Sequence, residues 1–182
     1  MSRTNCLERA GQIFITCIWI EKRLVDLIVL KKHPRLIQKV NGDSGLLPRT
    51  FVDERMRWWQ KDFKDVKEEF ISLFQPNKDW RGHLEAFYEY RNILGHGHVS
   101  LYRDFVLYRP GPAGKGLRRK IYGQKRVLEP TRVPGKRRNH VALLRLSDDV
   151  VFKRLSDSLT EFDEKYLAYE AKKLGLNYEK IR

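Results

Sequence analysis

Apolar residues recur at three- and four-residue steps through four stretches of this chain, and that pattern stops between residues 99 and 146. Steps of that size put side chains on one face of a helix, so the chain must bury several helical faces against one another. Over 7–31 the positions are Ala10, Ile13, Phe14, Cys17, Ile18, Val25 and Ile28. They predict one long helix, ended by His33-Pro34 because the residue before proline is pushed out of the helical region. Asn41-Gly-Asp-Ser-Gly45 is turn chemistry. Next, Met56, Trp59, Phe63, Val66, Phe70 and Leu73 alternate three- and four-residue steps. This heptad-like stripe predicts one helix of about 25 residues packed along another. Thr50 and Asp53 approximate a capping box for it, and Gln75-Pro76-Asn77 stops it. A third helix is expected over 80–94, capped by Asp79, with the stripe Trp80, Leu84, Phe87, Arg91 and Leu94. The last follows Ser147-Asp-Asp149, with Val151, Leu155, Leu159, Phe162, Tyr166 and Leu174 inside and Gly175 as its stop.

Between these helices the period changes. Val99, Leu101, Phe105 and Leu107 alternate with Tyr102, Val106 and Tyr108, which is strand periodicity. Two weaker strand candidates are 121–128 and 141–146, among prolines and glycines. The charge is concentrated here: 13 cations against Asp104 and Glu129, or +11 of the +14 carried by the whole chain. A length of 182 residues suits one domain. The expected fold is therefore mostly α: a single domain over 1–182, a bundle of four or five helices, with a basic β-rich insertion over 99–146 before the last helix.

So strong a basic balance implies a polyanionic partner, and nucleic acid is the first choice. The densest cations are Arg118, Arg119, Lys120, Lys125, Arg126, Lys136, Arg137 and Arg138, with Tyr102, Tyr108 and Tyr122 interleaved. Cations alternating with aromatic rings suit RNA contact. No membrane partner is expected, because the longest apolar run, Ile13 to Ile20, is far short of the roughly 20 residues of a span. No small-residue cleavage site follows it, so it does not read as a signal peptide. Cys6 and Cys17 lack a second pair at zinc spacing and read as reduced thiols of a cytoplasmic protein.

Chemistry gathers in Glu89-Tyr-Arg-Asn-Ile-Leu-Gly-His-Gly-His98. Arg91 falls in the apolar stripe, the wrong place for an ordinary surface charge. On a continuous helix Arg91 and His96 would lie about 140° apart, so convergence needs the chain to turn at Gly95. Together they suit phosphodiester cleavage. A histidine takes the proton of a ribose 2′-hydroxyl or protonates the leaving 5′-oxygen. An arginine fork holds the phosphate and its developing charge. Asn92 would orient the histidine or donate to a phosphate oxygen, and Glu89 or His98 would support the site. No carboxylate cluster stands ready for magnesium, and His96 with His98 lacks a third zinc ligand, so no metal and no cofactor is expected.

Arg91-Asn92-Ile-Leu-Gly-His96-Gly97 resembles the R-N-x-x-x-H-G form of the Rx4–6H motif of HEPN domains. His98 also satisfies the longest permitted spacing; the glycine after His96 matches the common form. The resemblance implies a HEPN-like helical bundle and a metal-independent endoribonuclease that leaves a 2′,3′-cyclic phosphate. It implies a homodimer with a composite site, Arg91 and His96 catalytic and Asn92 positioning. It further implies a toxin or antiviral-defence effector, held by an antitoxin or built into a defence complex. Some members are non-catalytic modules that bind nucleic acid or nucleotides. The basic insertion is not part of the minimal bundle.

Overall fold

The computed structural model describes residues 4–42, 47–99, 105–108, 128–132 and 140–181. The chain is mostly helical. It comprises α1 (Thr4–Lys32), α2 (Arg35–Asn41), α3 (Arg49–Trp59), α4 (Phe63–Phe74), α5 (Lys78–His96), then β1 (His98–Val99), β2 (Val106–Tyr108), β3 (Leu128–Arg132) and β4 (His140–Leu144). It closes with α6 (Asp149–Glu161), a π-helical stretch (Phe162–Leu167), α7 (Ala168–Lys173) and a short 3-10 turn (Tyr178–Lys180). The four strands pair antiparallel in the order β1-β2-β4-β3. Pro130 has no N–H to donate, and it lies in β3, an edge strand.

Two differences from the expected helices have physical causes. The stripe over 56–73 is two helices, because the chain leaves the helical path between Trp59 and Phe63. It is not one continuous seam: Phe63, Val66 and Phe70 are buried, but Met56 and Trp59 are 47% and 48% exposed. The buried side of α3 is Phe51, Arg55 and Trp58 instead. The capping box does not form either; Pro48 precedes α3 and no side chain caps it. Ahead of that, α2 forms directly after Pro34 and buries Leu36 and Val40.

The described chain divides into two compact units, Met1–Ile15 with Glu89–Asp157, and Thr16–Tyr88 with Ser158–Arg182. The division falls inside α1, α5 and α6.

The second unit holds an aromatic core. Phe63 meets Phe87 edge-on at 5.1 Å, Phe70 stacks on Phe74 at 4.5 Å, and Trp80 stacks on Tyr166 at 4.9 Å. Such pairs contribute about 0.5–1.5 kcal/mol each beyond area burial. Two buried ion pairs sit in the same unit. Arg55 donates to both oxygens of Asp26 at 2.6 and 2.7 Å, and Arg23 pairs with Asp163, which also accepts from the Tyr178 hydroxyl. Asp26 is wholly buried, and burial pushes its carboxyl up to about 6 although Arg55 pulls the other way.

The first unit is organised around the start of α6. Arg9 donates to the carbonyls of Leu146 and Ser147 at 3.0 and 3.1 Å, pairs with Asp149 and lies over Phe152. Asp148 Oδ1 accepts from the backbone N–H of Val150, at 2.8 Å, and of Val151, so the Ser147-Asp-Asp149 segment caps α6 through its middle residue.

Candidate functional site

Helix α5 begins with Asn77, not Asp79, as its cap: the Asn77 Oδ1 accepts from Trp80 N at 2.9 Å. Its buried side is Leu84, Phe87, Tyr90 and Ile93. Arg91 therefore borders this strip and is half-buried, along with Glu89 and Asn92, while His96 is exposed at the last helical position. Residues 89, 92 and 96 are spaced three and four apart, so Glu89, Asn92 and His96 share one face of α5.

Gly95 does not break the helix. A glycine inside a helix costs about 1 kcal/mol relative to alanine, too little to end one supported on both sides by packing. A Cβ on Gly95 would sit 3.7 Å from the Phe14 ring of α1, an ordinary contact. The turn expected at Gly95 is absent, and Arg91 and His96 remain about 140° apart around the axis, some 7.5 Å along it. The structure brings Asn92 and His96 to one face and does not bring Arg91 and His96 together within one chain.

The stop comes at Gly97. A Cβ there would lie 2.2 Å from the Ile93 carbonyl oxygen and 2.5 Å from Val106 Cγ1 of β2. Only a glycine allows strand β2 to close against the end of α5. The His-Gly pair of the motif thus has a packing reason of its own.

Tyr90, between Glu89 and Arg91, is buried, and burial pushes its hydroxyl up, partly offset by the nearby Arg154 charge. His98 begins β1. The proposed RNA contacts Arg118, Arg119, Lys120, Lys125, Arg126, Lys136, Arg137 and Arg138 all lie outside the described residues. Of the other cations in that segment, Arg145 lies over Phe105 at 5.8 Å. Among the described residues no cluster of three His, Cys, Asp or Glu could hold a metal, and no helix is long and apolar enough to cross a membrane.

Sequence reasoning missed Arg9, one of several cations on α1 with no local pattern to single it out. It also missed the run Lys31-Lys-His-Pro-Arg-Leu-Ile-Gln-Lys39, four cations with no acid, hidden by the larger excess further on.

No family model, curated protein or solved structure matches this chain.

Proposed function

We propose that the chain is a metal-independent endoribonuclease of the HEPN type, acting as a homodimer. Arg91 of one copy would hold a scissile phosphate against His96 of the other. One histidine takes the 2′-hydroxyl proton, the 2′-oxygen attacks phosphorus, the bond to the 5′-oxygen breaks, and a proton is returned to that oxygen. The product is a 2′,3′-cyclic phosphate. Asn92, one turn below His96, positions it, and the basic segment over 99–146 guides the RNA. A toxin or antiviral-defence role, restrained by an antitoxin or a complex partner, suits such an activity.

The observation that carries this reading is the geometry of α5. Arg91, Asn92 and His96 occupy its last two turns, yet Arg91 and His96 diverge, so a single phosphate meets both only when a second helix end faces the first. The outward side chains of α1, Leu7, Ile15, Ile18 and Trp19, are 46–58% exposed and give a dimer apolar surface to bury.

The test uses a mixed RNA pool in EDTA, with the fragment 3′ ends read out. Wild-type protein should leave cyclic phosphates, and His96→Ala should lose about 10²–10⁴-fold in rate. Activity abolished by EDTA and restored by added metal would sink the mechanism.

The same divergence favours one other reading: a non-catalytic nucleic-acid- or nucleotide-binding module, or a subunit of a defence complex, in which Arg91 and His96 touch separate phosphates. Intact RNA with salt-sensitive retention, unchanged by His96→Ala, would decide for it.

A further inference from the structure

The second compact unit carries a basic surface of its own, drawn from residues outside 99–146. The end of α1 and the whole of α2 supply Lys31, Lys32, Arg35 and Lys39, all exposed, with no acid among residues 31–39. The turn between α3 and α4 adds Lys61. The tertiary structure joins these pieces at one indole: the Lys32 ammonium lies 4.8 Å and the Lys61 ammonium 4.0 Å from the Trp58 ring centre. Trp58 is only 7% exposed, and its ring attracts both charges. At the other end of α2, Asn41 donates to the Gly175 carbonyl at 2.8 Å and accepts from Asn177 N at 2.9 Å. This hook ties the end of α2 to the turn that follows the exposed Lys172 and Lys173 of α7.

Glu69 pairs with Lys32 and Glu170 pairs with Lys173, while Asp62 adjoins Lys61. Lys31, Arg35, Lys39, Lys61 and Lys172 make no ion pair among the described residues. Several exposed cations elsewhere on the helices are matched one turn away, as in Arg49–Asp53, Lys64–Glu68, Lys153–Asp157 and Lys165–Glu161, whereas residues 31–39 hold no acid at all. A row of exposed cations with no acid interleaved, spread over an α1 end, a short helix and a turn, is what a phosphate backbone requires.

We propose that this surface, Lys31, Arg35, Lys39 and Lys61, is a second RNA contact that grips the sugar-phosphate backbone without reading sequence. It rests on the RNA reading above but on different residues, and the two fail separately. Its cations act as point charges and the indole beneath them is covered, so the contact is electrostatic and steep in salt.

The probe is a mixed-sequence 2′-O-methyl oligoribonucleotide, which has no free 2′-hydroxyl to attack. Binding is measured from low to moderate salt for wild type, for the quadruple variant K31Q/R35Q/K39Q/K61Q, and for a control of equal charge change, R49Q/K64Q/K153Q/K165Q. For single strands each lost contact removes about 0.7 from the slope of log K against log salt, so the first variant should flatten it by about 3. The control should leave the slope near wild type. Equal losses in both variants would show a net-charge effect and overturn the proposal, as would an unchanged slope in the first. Retention on anionic lipid vesicles but not on the oligonucleotide would overturn it in favour of a membrane surface. If cyclic-phosphate cleavage succeeds while the slope is unmoved, this surface fails and the catalytic reading stands. If the slope falls while no cleavage occurs, the reverse holds.

Discussion

Helices α3 and α4 lie end to end with three residues between them, and they bury their inner sides by different means. In α4 the inward residues are Phe63, Val66, Phe70 and Phe74, an apolar stripe at helical spacing. In α3 the inward side is Phe51, Arg55 and Trp58, with the arginine forked onto Asp26 of α1. Its more hydrophobic outer edge, Val52, Met56 and Trp59, is left partly in water. The comparison teaches that a helix's phase is set by what faces it. Against a carboxylate that is wholly buried, an arginine goes inside, because an unpaired charge there costs far more than an exposed methionine.

The largest effect should come from breaking the pair that turns α3. Asp26→Ala leaves the Arg55 charge buried without a counter-charge, and chemical denaturation should show a loss of about 3–5 kcal/mol. A loss under about 1 kcal/mol would mean that α3 is held by Phe51 and Trp58 alone. The pH dependence sharpens the same point. The Asp26 carboxyl is pushed up to about 6 from 3.8, so the folded state holds its proton more tightly than the unfolded state does. Its contribution to stability is fully present below the unfolded value and is lost as pH rises through about 6. The stability gap between wild type and Asp26→Ala should therefore widen as the pH is lowered from 7 to 5. A gap that narrows would show that attraction to Arg55, not burial, governs this carboxyl.

Gly97→Ala comes next. The added methyl would press on the Ile93 carbonyl and on Val106, and such overpacking costs about 1–3 kcal/mol. Gly95→Ala, by contrast, meets only the Phe14 ring at contact distance and should be neutral or slightly stabilising in a thermal melt. The smallest effect belongs to the outer edge of α3: Met56→Gln should change stability by no more than about 0.5 kcal/mol. A large loss there, together with a change in oligomeric state by light scattering, would mark that edge as an interface.

Much of the helical frame was legible. The long first helix, its end at Pro34, the α4 stripe, the Asp148 cap and the stop at Gly175, whose φ of 74° suits glycine, all rest on local chemistry. Less legible was the π-helical stretch at 162–167, because an extra residue in a turn leaves the apolar pattern almost intact. Of the candidate site, the residue types and their place at a helix end were visible. The straightness of α5 through Gly95 was not, since a glycine's cost of about 1 kcal/mol marks a possible break and packing settles it.

By itself, then, the sequence determined the end of α1 before Pro34, the α4 stripe, the stop at Gly175, and that Arg91, Asn92 and His96 share one helix end. Those properties depend on φ/ψ preference, missing N–H groups and side chains a few residues apart. Only the tertiary structure decided which side of α3 is buried, that α5 runs on through Gly95 and stops at Gly97, that Arg91 and His96 point apart, and that Lys32 and Lys61 both lie against Trp58. Each of these depends on a partner distant in the chain, and no local pattern encodes the free energy of meeting it.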